Sequence, residues 1–240
     1  MNESTFSLAH IWAQGDGVSH AVAVMLVIMS LASWSVILIK AWQLFALRRM
    51  SGGAKAFWHA TSFEAGMAAL APAGDNPFRD LAERGTEAVS HHTHHRDELH
   101  GVLGLNDWLT STLRQSIDDT TGRLQAGLSI LASVGSTAPF IGLFGTVWGI
   151  YHALVGIGAA GQATLDQVAG PVGESLVMTA GGLAVAIPAV LGYNALVRGN
   201  KEILARLKHF AHDLHAYLVT GGRVRKTSAN LHPLPARKEA

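Results

Sequence analysis

Two long stretches without charge constrain the fold of this chain more than any other feature. Residues 124–165 contain no Asp, Glu, Lys or Arg, and residues 167–197 contain only one of these, Glu174. An α-helix of about 20 predominantly apolar residues crosses a bilayer, so both stretches are long enough to do so. Residues 17–39 form a third uncharged stretch. The sequence therefore predicts an all-α membrane protein with three transmembrane helices.

The basic residues are divided unevenly along the chain. All 18 Lys and Arg residues lie in residues 40–123 or 198–238. Cytoplasmic segments of membrane proteins are enriched in Lys and Arg, so these two regions are predicted to be cytoplasmic and the N-terminus to lie outside. A cleaved signal peptide has its basic region ahead of the apolar core. Here the basic residues follow the first apolar stretch, which favours an uncleaved helix.

Together these assignments predict a layout for the whole chain. It comprises an external N-terminal segment (1–19), transmembrane helix 1 (20–42), a cytoplasmic helical region (43–127), transmembrane helix 2 (128–157), an external loop (158–170), transmembrane helix 3 (171–197), a cytoplasmic helix extension (198–219) and a disordered basic tail (220–240).

Two apolar stripes predict that the second and third membrane helices extend far into the cytoplasm. The stripe before the second membrane helix is uninterrupted by Pro, so one continuous helix is expected there. The stripe after the third has a spacing close to 3.5 residues, which favours packing of this extension beside the second helix. The first stripe consists of Leu105, Leu109, Leu113, Ile117, Leu124 and Leu128, and the second of Ile203, Leu207, Phe210, Leu214 and Tyr217.

Glu174 is the one carboxylate inside the predicted membrane helices. Placing a carboxylate there costs about 2.5–3.5 kcal/mol on membrane-insertion scales. It can belong to a proton or cation pathway, form a structural hydrogen bond between helices, or lie at the wet outer interface about one turn from Pro171. The sequence leaves these three interpretations open.

Small residues recur on one face of the second and third membrane helices and indicate close helix packing. Thr146 and Thr179 stand out among them, because hydroxyls on two facing helices can bond to water or to a protonated carboxyl. With Glu174 they are the candidate pore or proton-pathway residues. Asn194 and Arg198 are expected where the third helix leaves the membrane. The candidate packing and kink residues are Pro139, Gly142, Gly145, Gly149, Gly182 and Pro188.

Sequence patterns for other kinds of chemistry are weak. The histidine-rich run from His91 to His95 could bind a transition metal through pairs of imidazoles, but it lies in a polar region, and a solvated helix end is the preferred interpretation. The chain has no phosphate-binding glycine loop with Lys, no Gly-x-Ser-x-Gly motif and no Cys. We therefore expect no enzyme activity, no metal, no cofactor and no nucleic-acid partner.

Three runs in the second half of the chain resemble signatures of the ExbB/TolQ/MotA proton-channel family. They extend from Gly135 to Gly149 (Gly-Ser-Thr-Ala-Pro-Phe-Ile-Gly-Leu-Phe-Gly-Thr-Val-Trp-Gly), from Gly170 to Thr179, and from Ala184 to Asn194. MotA-type proteins have an additional span, and the sequence Leu-Val-Arg-Gly-Asn-Lys at residues 196–201 is more similar to the ExbB branch. The run Gly-Ile-Tyr-His-Ala at residues 149–153 is closer to TolQ.

This resemblance implies a bacterial inner-membrane subunit that forms a homopentamer around a central pore. Its external segments, 1–19 and 158–170, would then lie in the periplasm. A single-span ExbD-type partner would occupy the pore, and with TonB the complex would couple the proton-motive force to outer-membrane transport. In the family, the positions of Thr146, Thr179 and Glu174 line or border the pore, while the gating aspartate belongs to ExbD. A TolQ-like role in the Tol-Pal envelope-integrity system is the alternative. A passive scaffold, with Glu174 purely structural, is a third interpretation.

Overall fold

A computed structural model describes residues 16–70, 76–94, 104–160 and 165–221, and these residues are helical with short connections and no strand. We number the helices in chain order. They are α1 (Gly17–Phe57), α2 (Phe63–Ala69), α3 (Pro77–His94), α4 (Leu105–Gln125), α5 (Leu128–Ala160) and α6 (Leu165–Thr220). Residues 1–15 of the predicted N-terminal segment, His95 of the histidine-rich run, and the predicted tail after residue 221 lie outside the described residues.

Three helical stretches are long and apolar enough to cross a membrane: Gly17–Phe57, Leu105–Gly158 and Ser175–Thr220. Their apolar residues are the right composition for a lipid environment, and most of these side chains are exposed on the chain itself. This matches the predicted class of an all-helical protein with three candidate membrane spans.

The chain divides into two compact units. The first contains described residues from Met1–Gly53 and Thr120–Ala205, and so includes α5, most of α1 and the greater part of α6. The side chains that meet in it are apolar, and several of them are small, as expected for helices that associate in lipid by close packing. Its central cluster contains Val22, Leu26, Val134, Ala138, Ala186 and Ala189.

The second unit contains described residues from Ala54–Asp119 and Arg206–Ala240. Larger side chains fill its core, as in a water-soluble helical domain, and Phe78 and Leu81 are completely buried. Helix α3 begins as its sequence predicts, since Asn76 Oδ1 accepts the Phe78 N–H at 3.1 Å and Pro77 occupies the first helical position. The other large members of the core are Phe57, Leu70, Leu109, Leu113, Leu207, Phe210 and Leu214.

Both predicted apolar stripes are confirmed as buried faces. Leu109 and Leu113 contribute to the core of the second unit, whereas Leu124 and Leu128 contribute to a cluster in the first. Along α6, Ile203, Leu207, Phe210 and Leu214 are all buried, and Tyr217 is partly buried.

The expectation of one continuous helix before and through the second membrane span is wrong. Helix α4 ends at Gln125 and α5 begins at Leu128, with Ala126 and Gly127 forming a turn. Gly127 has φ of 82°, in the left-handed region that glycine adopts without steric penalty. An apolar stripe reports which face is buried and contains no information on such a break, so the glycine was the available signal.

Helix α6, in contrast, runs without interruption through Pro188 and Arg198 to Thr220. Pro139 likewise lies inside α5. Helices α5 and α6 also extend into the segment predicted as an outer loop, because α5 ends at Ala160 and α6 begins at Leu165. No proline, the residue that interrupts helices most strongly, occurs between these two residues.

Candidate functional site

Helices α5 and α6 approach each other most closely at Gly142 and Gly182. A Cβ atom added to Gly142 would lie 2.5 Å from the Met178 carbonyl oxygen, and one added to Gly182 would lie 2.6 Å from the Ala138 carbonyl oxygen. Both distances are far below ordinary van der Waals contact, so only glycine fits at this crossing. Small residues here bring the two backbones together, and the polar groups on either side of the crossing come within hydrogen-bonding reach.

One turn beyond this crossing, Thr146 and Thr179 meet between the two helices. Thr146 is only 6% exposed, and its Oγ1 lies 3.1 Å from the Gly142 carbonyl oxygen and 3.0 Å from the Ser175 carbonyl oxygen. The two threonine Oγ1 atoms are hydrogen bonded to each other, and either can donate. A hydroxyl donates one hydrogen and accepts through its lone pairs. The pair therefore forms a short polar chain in which Thr179 donates to Thr146 and Thr146 donates to a carbonyl.

The hydroxyl pair of Thr146 and Thr179 lies among apolar side chains. The two hydroxyls lie at the interface of α5 and α6, while many larger apolar side chains of the membrane-spanning parts of both helices are exposed. A threonine hydroxyl does not ionise at ordinary pH, so the pair can orient a water or a carboxyl group but cannot store a proton itself. The exposed apolar side chains are Phe140, Leu143, Phe144, Val147, Tyr151, Leu154, Val155, Leu176, Val177, Leu183, Ile187, Val190 and Leu191.

The remaining predicted residues divide into packing and surface positions. A Cβ on Gly149 would overlap the buried Ser175 hydroxyl, and one on Gly145 would lie 2.9 Å from Val22 Cγ1 of α1, so both glycines serve close packing. Asn194 and Arg198 are exposed on α6. Glu174 lies within α6, directly before Ser175, but its side chain is outside the described part of the structure.

A polar cluster that the sequence did not indicate lies where α1 begins. Asp16 Oδ1 accepts the Ser19 backbone N–H at 2.8 Å, which caps α1. Its Oδ2 accepts the Trp148 Nε1–H at 2.6 Å and lies 3.9 Å from His152 Nε2. The hydrogen bond from Trp148, followed by that from Ser19, lowers the pKa of Asp16 to about 2. The Asp-Gly pair directly before an apolar helix is the sequence feature from which this cap could have been predicted.

A second unexpected polar cluster surrounds the turn between α4 and α5. The carbonyls at the end of α4 have no helical N–H to bond to, because the helix stops there. Lys40 Nζ of α1 donates to the Arg123 carbonyl at 2.9 Å, and Asn200 Nδ2 of α6 donates to the Leu124 carbonyl at 2.9 Å. Asn200 is buried, whereas the candidate Asn194 is exposed. Asn200 therefore makes the polar contact at this turn, and the prediction that Asn194 lies where the helix leaves the membrane stays a prediction.

No group of three or more His, Cys, Asp or Glu side chains that could hold a metal ion occurs in the described ranges. His91 stacks on Trp108, with ring centroids 6.4 Å apart. The side chain of His94 is not described, and His95 lies outside the described residues.

Comparison with known proteins gives consistent matches. A model of the MotA/TolQ/ExbB proton channel family matches residues 77–209. The biopolymer transport protein ExbB of Xanthomonas campestris pv. campestris (strain B100) is 42% identical over 221 residues, covering 88% of this chain and 86% of that protein. ExbB of Neisseria meningitidis serogroup B is 40% identical over 214 residues, covering 89% and 97%. The Tol-Pal system protein TolQ of Pseudomonas aeruginosa is 43% identical over 106 residues, covering 44% and 46%.

Proposed function

Because this chain belongs to the MotA/TolQ/ExbB proton channel family, we propose that it is an inner-membrane motor subunit that couples the proton-motive force to TonB-dependent outer-membrane transport. Its three long apolar helices make it a multi-pass membrane protein. Its functional partners are further copies of itself, an ExbD-type single-span subunit, TonB and the surrounding lipid. The ExbB relatives match nearly the whole chain, which supports this branch of the family.

The observation that carries the proposal is the hydroxyl pair of Thr146 and Thr179. Both groups lie between α5 and α6 and are bonded to each other, so they form a polar point next to an apolar cluster of the first unit. Such a point can bind a water or a protonated carboxyl group, as a proton path through a membrane requires. Glu174, which directly precedes the residue whose carbonyl faces Thr146, is the third pathway residue of the proposal.

Several copies are needed for this point to become part of a channel. Three helices from one chain are too few to enclose a water-filled path, and the exposed apolar surfaces on α5 and α6 are available both to lipid and to neighbouring copies. We place five copies around a central pore that holds the ExbD-type helix. Each proton that crosses supplies about 2.3 kcal/mol per 100 mV of membrane potential. A wall of Ala, Gly, Thr and Val allows the inner helix to move against it.

Removal of the hydroxyls tests the pathway directly. We expect the double substitution of Thr146→Val and Thr179→Val to reduce TonB-dependent uptake by about five- to tenfold or more, the equivalent of losing at least one hydrogen bond of about 1 kcal/mol. Thr→Ser at both positions should retain uptake. Thr137→Val is the matched control, because Thr137 is exposed and its hydroxyl donates to the Ser133 carbonyl of its own helix. Unchanged uptake in the double valine variant would exclude the pathway.

The assembly is tested separately from the pathway. We expect the native mass of the complex, purified with its co-expressed ExbD-type partner, to correspond to five copies of this chain. A monomer would exclude a shared pore. Glu174→Gln distinguishes a pathway role from a passive scaffold: a complex that assembles normally but loses uptake supports the pathway, and one that assembles and retains uptake supports the scaffold.

A TolQ-like role in envelope integrity is the second candidate. It is favoured by the matches to TolQ proteins, which reach 53% identity over 73 residues for that of Haemophilus influenzae. Those matches cover less of the chain than the ExbB matches do. Co-purification from the native cell decides between the two roles, since an ExbD/TonB pair supports the first and a TolR/TolA pair the second.

A further inference from the structure

The second unit contains a small cavity whose walls are mostly aromatic. It has a volume of about 160 Å³ and is lined by Phe57, Trp58, Ala60, Thr61, Ser62, Phe63 and Tyr217. The ring of Phe63 stacks on that of Tyr217, and Trp58 meets Tyr217 edge to face with centroids 6.3 Å apart. This volume suits one side chain and is too small for a drug-sized ligand. We call it the aromatic pocket.

Two features make the aromatic pocket favourable for a positive charge. Aromatic faces attract ammonium and guanidinium groups. In addition, Phe57 is the last residue of α1 and Tyr217 is in the last turn of α6, and the C-terminal end of a helix carries partial negative charge. The one cationic residue in the last turn of α1, Lys55, is exposed and does not line the pocket.

The chain itself supplies cations next to this pocket. Helix α6 ends at Thr220, and Gly221 adopts φ of 68° with its N–H bonded to the Tyr217 carbonyl at 2.9 Å. This left-handed residue turns the chain away from the helix axis. Arg223 and Arg225 follow within four residues, and four residues span at most about 14 Å. Both guanidinium groups are therefore within reach of Tyr217.

We propose that the aromatic pocket binds an arginine side chain of this chain's own C-terminal segment, Arg223 or Arg225. The bound segment would lie against the turn between α1 and α2. Planar guanidinium groups stack on aromatic rings better than ammonium groups do, which favours these arginines over Lys226. The proposal is independent of the proton pathway, because the pocket lies in the second unit and is lined by none of Thr146, Thr179 and Glu174.

The absence of native cysteines makes a direct test possible. Thr61→Cys places a thiol at the rim of the pocket, and Ser228→Cys places one three residues after Arg225. In the purified full-length complex, a short bis-maleimide should join the two cysteines within one chain. We expect the additional pair Arg223→Gln and Arg225→Gln to lower that yield about threefold or more, from the strength of a cation–aromatic contact. The matched pair Arg237→Gln and Lys238→Gln removes the same charge and should leave the yield unchanged.

Each result decides the proposal. Equal yields in the two charge-removal variants would overturn it, because tethering alone would then explain the cross-link. Products that join two chains, identified by mass after denaturation, would assign the occupant to a neighbouring copy and would also overturn it. Trp58→Leu removes one aromatic side chain that lines the pocket. It should lower the yield of the intrachain cross-link as the arginine substitutions do. Retention of the full yield in this variant would exclude binding to the pocket.

Discussion

At the scale of single residues, three polar groups of the first unit have defined partners. The Thr146 hydroxyl bonds across the helix interface, the Asn200 amide bonds to a carbonyl left open by a helix end, and the Asp16 carboxylate caps α1. An unsatisfied buried polar group costs about 1–3 kcal/mol, so these contacts fix the register of the helices. The sequence indicated Thr146 because it repeats with small residues, but Asn200 differs from Asn194 only in which face the folded helix buries.

Asp16 gives the first prediction at this scale. Asp16→Ala removes the cap of α1 and the acceptor for Trp148, and we expect it to destabilise the protein by about 1 kcal/mol at neutral pH. The pKa of Asp16 is lowered from 3.8 to about 2 in the folded chain. Its charge therefore stabilises the fold fully above pH 3.8 and loses this effect as the pH falls through about 2. The unfolding temperatures of the unsubstituted protein and of Asp16→Ala, measured in nanodiscs, should differ at pH 7, and this difference should become smaller below pH 4. Equal unfolding temperatures at pH 7 would contradict the prediction.

The neighbouring glycines Gly181 and Gly182 give the second prediction. Gly182→Ala places a methyl group 2.6 Å from the Ala138 carbonyl oxygen, whereas a methyl group on Gly181 comes no closer than 3.7 Å to Leu26. We expect Gly182→Ala to cost about 1–3 kcal/mol through overpacking. Gly181→Ala should be neutral or slightly stabilising, since alanine is the better helix former. Unfolding temperatures of the two variants measure the contrast, and equal values would show that the crossing is looser than described.

At the scale of helices, hydropathy predicted which segments are long apolar helices, and periodicity predicted which faces of α4 and α6 are buried. They did not predict the end of α4, because the apolar stripe continues from Leu124 to Leu128 across the turn. The turn is set by backbone geometry at Gly127 and by partners distant in sequence, Lys40 and Asn200. Contacts of that kind depend on the tertiary fold and leave no local pattern.

The turn at Gly127 carries the third prediction. Any other residue pays about 1–2 kcal/mol for the left-handed conformation, so we expect Gly127→Ala to destabilise the chain by about that amount. Gly122→Ala is the control within α4, because a methyl group there meets nothing within 4 Å. It should stabilise the helix slightly. Denaturation of both variants in detergent provides the comparison, and a tolerated Gly127→Ala would mean that the helices can run on as one.

At the scale of the whole molecule, the class of protein and the family were readable from the sequence. The uncharged stretches predicted three membrane spans, and the glycine and threonine runs in the second half matched the family that the comparisons identify. The arrangement of copies around a pore, which the family resemblance implies, stays a prediction, because the exposed apolar side chains do not show which of them meet lipid and which meet another chain. Both environments favour the same residue types.

Orientation in the membrane provides the fourth prediction. The uneven distribution of Lys and Arg predicts an external N-terminus and a cytoplasmic C-terminus. In the cysteine-free chain, Ser4→Cys should react with a membrane-impermeant maleimide in intact spheroplasts. Ser228→Cys should react only after permeabilisation. The reverse pattern would invert the topology and place the second unit outside the cell.

Where Gly142 meets Gly182, two backbones touch with nothing between them. Tightly packed interfaces of this kind do not deform continuously, so the parts of α5 and α6 around Gly142 and Gly182 should move together as one rigid body. In the proposed ring of copies, relative movement would then be confined to the contacts between neighbouring copies. A compound that binds between two neighbouring copies would then block this movement in the whole complex, while leaving Thr146 and Thr179 unchanged.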